Sequence, residues 1–168
     1  QPRRVADLIK ACWLDSRDTL RLPLTKASLP PLSADFSHVK TLLINAATWT
    51  GDADAFLSAF PGLERLAINH CGLETLPAPI AAMHDLVHLD LASNRLQLTE
   101  DSAAILSARS ELEVIDLSNN PALGSTPDFS GLSRLRQVLL SNTGIEQWPS
   151  GLQNKTDLID LDLSNNRL

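Results

Sequence analysis

A segment of eleven residues recurs along most of this chain and constrains its fold more than any other feature. The clearest copy covers residues 86–96, with leucine at its first, fourth, sixth and eleventh positions and asparagine at its ninth. Near copies begin at positions 39, 63, 112, 135 and 158, so that successive starts are 24, 23, 26, 23 and 23 residues apart. A period of this length indicates one structural unit stacked repeatedly along the chain.

The need for stacking follows from the apolar positions of the segment. Alternate residues of a strand face opposite sides, so Leu89 and Leu91 point to one face and Asp90 to the other. One repeat cannot bury that apolar face, whereas successive repeats build a parallel sheet over a continuous leucine core. The segment resembles the leucine-rich repeat. We therefore predict an α/β solenoid, a right-handed curved superhelix with six or seven short strands on its concave side and loops and short helices on its convex side.

The ninth position of the segment lies where the chain leaves the strand. An asparagine amide there can bond backbone groups that burial would otherwise leave unpaired. Cys71 and Thr143 replace asparagine in two repeats, and Ala47, which has no polar side chain, replaces it in the first. We predict that Asn94, Asn120 and Asn166 form a ladder of side-chain hydrogen bonds. The first repeat, which has Ala47 at this position, is predicted to be irregular.

The N-terminal part of the chain departs from the repeat. A helix over residues 1 to about 16 is predicted to cap the open end of the core, because one stripe of it carries Val5, Leu8, Ile9, Cys12 and Trp13. Residues 19–24 alternate apolar and polar and predict a degenerate repeat that Pro23 cuts short. We divide this single domain into the cap and degenerate repeat, 1–38, and six repeats, 39–168. Leu168 falls in the middle of a repeat, so we expect a fragment of a longer protein.

Two more helices are predicted in the segments that return from one strand to the next. The first covers residues 52–60, with Asp52 as its N-cap and an inward face made of Phe56, Leu57 and Phe60. The second covers residues 99–109 and accounts for the longest repeat spacing. Among the other return segments, we assign to the core three large apolar side chains, those of Met83, Phe129 and Trp148.

Charge and cysteine content exclude several classes of function. A net charge of −6 and a pI near 5.1 disfavour nucleic acid and anionic membrane surfaces as partners. The apolar runs are too short to cross a membrane, so no membrane insertion is expected. Cys12 and Cys71 are too few for the disulfide-rich caps of extracellular repeat proteins, which favours an intracellular or other reducing compartment.

The sequence contains no pattern typical of a catalytic or cofactor site, such as a phosphate loop or a nucleophile elbow. His70 beside Cys71 suggests a metal pair, but neighbouring strand residues face opposite sides. Asp90 and Asp116 are expected about 5 Å apart on adjacent strands. An acid–base pair or a cation site is one interpretation; the ordinary use of aspartate in this repeat position is the favoured one. We predict no catalytic residue, no metal and no cofactor in this segment.

The remaining candidate site is the concave face, where the strand residues between the leucines form rows. Aspartate, serine and asparagine are ordinary there, whereas Arg65, His88 and Gln137 are not. Leu139 lies between two aspartates and has the composition of a protein-binding contact, although it also fits a neutral surface leucine. We expect a protein partner with a basic patch, and the sequence leaves the oligomeric state open. The predicted binding residues are Arg65, His70, His88, Asp90, Val114, Asp116, Gln137, Leu139, Asp160 and Asp162.

Four phrases of the sequence carry a narrower resemblance, ADFSHV at 34–39, FLSAFPGL at 56–63, PDFSGL at 127–132 and TGIEQWP at 143–149. They are similar to the bacterial intracellular leucine-rich repeats of effector-like proteins of pseudomonads. The resemblance implies a substrate-binding domain that precedes a "novel E3 ligase" (NEL) domain of the IpaH class, secreted by a bacterium into the host cytosol. That family's catalytic cysteine has a C-x-D setting, which neither Cys12 nor Cys71 shares, so no catalytic residue carries over. The alternative is an interaction or scaffold domain of a bacterial protein or toxin without ligase activity.

Overall fold

The computed structural model describes residues 2–23, 26–153 and 155–168. Seven strands form one sheet in which their order is the order of the chain, and every neighbouring pair is parallel. The predicted leucine-rich-repeat solenoid is thus confirmed, as is the number of strands. They are β1 Thr19–Leu22, β2 Thr41–Asn45, β3 Arg65–Asn69, β4 His88–Asp90, β5 Val114–Asp116, β6 Gln137–Leu139 and β7 Asp160–Asp162.

The register of the sheet places the repeat leucines in one buried row. Leu66, Leu89 and Ile115 are Cα partners on successive strands, and all three are fully buried. Burial of such a side chain contributes about 1.5–3 kcal/mol, so every added repeat strengthens the same core. Leu161 on β7 differs, with 36% of its surface exposed. Both β1 and β7 are edge strands, but the leucines of β1 are buried because the helix Pro2–Leu14 packs against that strand.

Helix α1, Pro2–Leu14, lies against β1 and buries Val5, Ile9 and Cys12. Trp13, which we predicted on the same stripe, is instead 48% exposed. The buried positions follow one another at four and three residues, so the contact stripe is narrow and the residue after Cys12 lies beside it. β1 pairs in parallel with β2 and ends before Pro23, as expected for a degenerate repeat. Leu24, the last residue of that predicted repeat, lies outside the described residues.

Both convex helices are present and shorter than predicted. Helix α2, Asp52–Leu57, has Gly51 as its N-cap, so Asp52 is the first helical residue and not the cap. Its carboxylate there still interacts favourably with the helix dipole. The predicted inward residues Phe56, Leu57 and Phe60 are all fully buried.

Helix α3, Glu100–Ser107, begins with a capping box. The Ser102 amide donates to Thr99 Oγ1 at 3.1 Å, and the Thr99 amide donates to Ser102 Oγ at 2.8 Å. These two bonds satisfy two donors that a helix start otherwise leaves unpaired. The start of α3 is therefore fixed by its own sequence.

The other return segments are a 3₁₀ helix, Ala78–Ala82, and extended chain. Met83 and Phe129 are buried, as predicted. Trp148 is 64% exposed, which contradicts its assignment to the core. Ile145 and Leu152 are buried in the same return segment, and the indole lies on the convex surface outside them.

The asparagine ladder is confirmed. Asn94 Oδ1 accepts from the amides of Cys71 at 3.0 Å and Leu73 at 3.2 Å, and Asn94 Nδ2 donates to Ile68 O at 2.8 Å and Leu91 O at 2.9 Å. One side chain thus joins the exit of its own strand to the exit of the preceding one. The same bridge to the preceding repeat is made by Asn120 and Asn166.

The residue before each ladder position has a left-handed backbone, a feature that the sequence analysis did not anticipate. Its φ lies between 52° and 62° in all six repeats, at Ala46, His70, Ser93, Asn119, Asn142 and Asn165. This turn directs the next side chain back into the core. His70 is therefore an exposed turn residue beyond β3, whereas Cys71 is buried, and the two do not form a metal pair.

Candidate protein-binding surface

Nine of the ten predicted binding residues fall into two rows on the concave face of the sheet. Cα pairing runs through the first row as Arg65, His88, Val114, Gln137 and Asp160. It runs through the second as Ala67, Asp90, Asp116, Leu139 and Asp162. His70, beyond the end of β3, lies outside both rows. Leu139 has Asp116 and Asp162 as its neighbours in the row and is partly buried rather than fully exposed.

The two rows divide the concave face by charge. Pairing with Leu43 places Arg21 at the start of the second row, and Arg65 lies in the first, so β1–β3 carry arginines in these rows. Strands β4–β7 carry the four aspartates, which we call the acidic half, namely Asp90, Asp116, Asp160 and Asp162. The face therefore changes from positive to negative along the solenoid.

Three of the four aspartates also hold the strand exits in place. Asp116 Oδ1 accepts from the Ser118 amide at 3.0 Å and from Ser118 Oγ at 2.6 Å. Asp162 makes the same two bonds with Ser164 at 2.9 and 2.6 Å. Asp90 Oδ1 accepts from the Ala92 amide at 2.9 Å. In each case one carboxylate oxygen serves the fold, and the other makes no hydrogen bond to the described residues.

Environment separates the pKa values of Asp116 and Asp162. Burial raises the pKa of Asp116, the bonds from Ser118 oppose that rise, and the negative charge of Asp90 adds to it. The bonds from Ser164 lower the pKa of the more exposed Asp162. A cation brought to the Asp90–Asp116 pair would relieve an unfavourable local charge, so the acidic half is suited to basic groups.

The basic end of the first row is held by its own contacts. An Arg65 Nη2–H faces His88 Nδ1 at 3.4 Å, and burial together with that guanidinium lowers the pKa of His88. His88 is therefore neutral at pH 7 and presents a polar ring rather than a charge. At the other end Gln137 Nε2 donates to Asp160 Oδ2 at 2.9 Å, which fixes both side chains.

An apolar cleft at the basic end was missed by the sequence analysis. It has a volume of about 400 Å³ and is lined by residues of β1–β3 and of the turns after β1, β3 and β4, including Pro23, Leu43, Ala67 and His70. Asn45 Oδ1, at the same cleft, is shielded from solvent and has no hydrogen-bond partner among the described residues. The 22-residue offset between Leu20 and Leu42 was the signal that could have extended the two rows to β1. With β1 included, the rows would have located the cleft.

The other candidates are the possible metal ligands and the two thiols. Within the described ranges, no group of three or more His, Cys, Asp or Glu side chains could hold a metal ion. Cys12 and Cys71 are free and buried, and burial raises the pKa of each thiol. Both are then poor nucleophiles at pH 7, because the reactive species is the thiolate. None of the described helices is long and apolar enough to span a membrane.

Comparison with curated proteins finds similarity over about two thirds of the chain. Tsukushi of Mus musculus is 35% identical over 107 residues, 63% of this chain and 30% of that protein. The monocyte differentiation antigen CD14 of Rattus norvegicus is 32% identical over 111 residues, 65% of this chain and 23% of that protein. The disease resistance protein RML1A of Arabidopsis thaliana is 29% identical over 114 residues, 66% of this chain and 11% of that protein. The matched segment thus spans less than a third of each relative.

Comparison with solved structures supports the fold. A leucine-rich-repeat protein of Leptospira interrogans superposes with a TM-score of 0.63 and 19% identity over 78% of this chain and 38% of that one. Internalin C2 of Listeria monocytogenes gives a TM-score of 0.59 and 18% identity over 92% of this chain and 74% of that one. No family model matches the chain. These likenesses establish a leucine-rich-repeat solenoid.

Proposed function

We propose that this chain is a protein-recognition module whose concave face binds a basic segment of a partner protein. The observation that carries the proposal is the acidic half, where four aspartates lie within four neighbouring strands whose row positions hold no lysine or arginine. Their potentials add over a concave surface, which steers and orients a positively charged partner.

Leu139 supplies an apolar contact within this acidic surface. Its row neighbours are Asp116 and Asp162, and its partly buried side chain needs little additional ordering on binding. Removing the rest of its apolar surface from water stabilises a complex by about 1 kcal/mol. The aspartates would then govern association, and Leu139 the lifetime of the complex.

The size of the face sets the length of the bound segment. From β2 to β7 there are five strand spacings, roughly 24 Å in all, which an extended chain crosses in about seven residues. We propose that the basic residues of this segment lie over β4–β7 and an apolar residue enters the cleft between β1 and β3. Arg65, His88 and Gln137 would tune the choice of sequence.

A binding assay on this face separates steering from anchoring. The probe is a fluorescein-labelled heptapeptide that alternates arginine with leucine, and its rates are followed by stopped-flow anisotropy. Asp90→Asn with Asp116→Asn keeps the Oδ1 acceptors of the strand exits, so the fold persists. We expect this pair to slow association about tenfold at low salt and to flatten the salt dependence. Leu139→Ala should speed dissociation about fivefold.

The matched control neutralises two exposed acids away from the concave rows, Glu74→Gln with Asp85→Asn. It removes the same charge and should leave both rates close to those of the unchanged protein. If the control slows association as much as the concave pair does, the attraction is a property of net charge and not of this face. If convex substitutions alone change binding, the partner lies on the other side.

We propose further that the parent protein uses this module to select substrates for a ubiquitin ligase of the NEL class in a reducing compartment such as the host cytosol. The support is the sequence resemblance of the four phrases. The curated relatives favour the alternative, an interaction or scaffold domain without ligase activity, since none of the three reported above is named as a ligase. The test is whether the full-length protein forms ubiquitin chains when activating and conjugating enzymes are present. Chain formation supports the ligase, and its absence supports the alternative. The control omits the two enzymes and should give no product.

A further inference from the structure

The convex side carries a second open groove, which the proposed concave site does not use. It has a volume of about 910 Å³ and lies between α3 and the return segment that contains Trp148. Its lining includes the small residues Ala104 and Gly124 and the apolar side chain of Ile145. This volume is within the range of sites that hold small ligands or peptide side chains.

Both walls of the groove are held rigidly. On one side α3 has its capping box, and Ser107 Oγ of the same helix accepts from the Asp128 amide at 2.9 Å. On the other, the Ser150 carbonyl accepts from the Phe129 amide at 2.8 Å, and Gly151 packs so tightly that a Cβ there would collide with Ser130. A groove with fixed walls loses little conformational entropy when it is filled.

The other end of the Trp148 segment is fixed in the same way. Gly144 has a φ of 72°, and a Cβ on it would collide with the carbonyl of Pro121 in the preceding repeat. The indole of Trp148, 64% exposed, is thus presented on a segment pinned at both ends. Exposed tryptophans on rigid supports are typical of residues that dominate binding energy.

The lining of the groove is negatively charged. It includes Glu100, Asp128 and Glu146, and none of the described residues that line the groove is a lysine, arginine or histidine. Bonds from Ser130 lower the pKa of Asp128, with a smaller effect from the positive charge of Lys155. Glu146 is paired with Arg167 at 3.6 Å, but both side chains are highly exposed, so a ligand cation can replace that partner at small cost.

We propose that this groove is a second binding site, for an arginine-containing segment of a partner protein. The guanidinium lies on the face of Trp148, where the ring quadrupole attracts it, and its charge is directed at the carboxylates of Glu146 and Asp128. The alkyl part of the arginine packs over the small and apolar residues of the lining. The solenoid then has two faces that recognise positive charge, and only the convex one uses an aromatic ring.

The emission of Trp148 tests the site locally. In the variant Trp13→Phe with Trp49→Phe, Trp148 is the remaining tryptophan, so concave binding does not dominate the signal. The probe is acetyl-Ala-Arg-Ala-Arg-Ala-amide. We expect a saturable change in emission, about tenfold weaker binding when citrulline replaces arginine, and about tenfold weaker binding in Glu146→Gln with Asp128→Asn. The amide oxygen introduced by Asp128→Asn would still accept from the Ser130 amide, and Glu74→Gln with Asp85→Asn is the charge-matched control, expected to be unchanged.

The role of the ring is measured separately with a fluorescein-labelled copy of the peptide, in a background where asparagine replaces all four aspartates of the acidic half, Asp90, Asp116, Asp160 and Asp162. Trp148→Leu should weaken binding about 2- to 30-fold, the range of a cation–π contact. The proposal is overturned by unchanged binding in Trp148→Leu, by equal binding of the citrulline peptide, or by no binding up to about 2 mM. Sedimentation tests a further alternative, that a second copy of this chain occupies the groove. If the unchanged protein self-associates and Trp148→Leu abolishes the association, the proposal of an arginine-containing partner is overturned. The results obtained in this background do not bear on the concave site, because the four aspartates of its acidic half are already neutralised.

Discussion

The repeats that begin at Val39 and Leu63 close their turns differently from the repeats that begin at Leu112 and Leu158. In the later two, an asparagine pair ends the strand, Asn119–Asn120 and Asn165–Asn166, and its second member bonds the preceding repeat. In the earlier two, the same positions hold Ala46–Ala47 and His70–Cys71. We call the repeats that begin at Leu112 and Leu158 the ladder half, and the repeats that begin at Val39 and Leu63 the N-terminal half.

The N-terminal half replaces hydrogen bonds with strand length and aromatic packing. Strands β2 and β3 have five residues each, whereas β4–β7 have three. Phe60 lies 5.0 Å from Phe36 and 5.1 Å from Phe56, measured between ring centroids, and all three rings are buried. The comparison teaches that one backbone repeat can be stabilised either by polar bonds between repeats or by a larger apolar core beneath them.

The largest effect is expected from Phe60→Ala, which removes part of the aromatic packing that stands in place of the ladder. Loss of this ring should lower the free energy of unfolding by about 3–5 kcal/mol. Because the N-terminal half has few polar bonds in reserve, the emission of Trp49, in a Trp13→Phe with Trp148→Phe background, should change at lower urea than the far-UV circular dichroism. Coincident transitions with a loss below about 1 kcal/mol would show that the rings are dispensable.

Asn120→Ala attacks the ladder half in the same way. The change removes the side-chain partner of the Leu96 amide and of the Leu117 carbonyl in a buried site. The Leu91 carbonyl loses one of two donors and keeps the bond from Asn94 Nδ2. We expect a loss of about 2–3 kcal/mol in urea unfolding, and a similar loss for Asn94→Ala. Asn120→Asp, which keeps the acceptor and removes the donor, should also destabilise. A loss below about 1 kcal/mol for the alanine variants would contradict a structural ladder.

Cys71→Ala probes the same slot where the ladder is weak. Cys71 Sγ contacts Asn69 O at 3.2 Å, and a thiol bonds only weakly, so mainly packing is lost. The free energy of unfolding should fall by about 1 kcal/mol, less than for Asn94→Ala. Equal losses for the two variants, measured in parallel under reducing conditions, would remove the distinction between the halves.

The smallest effect should be a gain. Ala46 has a φ of 56°, which costs an alanine about 1–2 kcal/mol that glycine avoids. After the entropy cost of glycine, Ala46→Gly should stabilise by about 0.5–1 kcal/mol. Asn119→Gly should change stability little, because asparagine tolerates this conformation. A gain at Asn119 equal to that at Ala46 would mean that the turn is not strained by its residue type.

Periodicity made most of this fold predictable, because Leu66, Leu89 and Ile115 can share a core in only one register. Trp13 and Trp148 show where it failed: an apolar residue at a plausible spacing can still lie beside the contact stripe. Arg109 was missed altogether. It is buried, donates to Ala81 O at 2.6 Å and to Ile105 O at 3.2 Å, and so joins α3 to the 3₁₀ helix. An arginine near a helix end has many possible partners, and its sequence context does not select one.

The candidate site was predictable in part for a related reason. The register brought Asp90, Asp116, Leu139 and Asp162 into one row because the spacing of the repeats fixes it. The cleft beside Asn45 and the groove beside Trp148 depend on return segments whose lengths vary. Their shapes arise from contacts between neighbouring repeats that no single repeat encodes.

The order of the strands in the sheet has a mechanical consequence. Among the described residues, the widest side-chain hydrogen bonds join positions 29 apart, Arg109 to Ile80 and Asn120 to Leu91. Strands β1 and β7 lie at opposite ends of the sheet, so a force that pulls the two termini apart acts across the strand pairs and loads one pair at a time. Such a molecule should yield as a zipper, in low-force steps that each release about 80 Å of chain, one repeat per step.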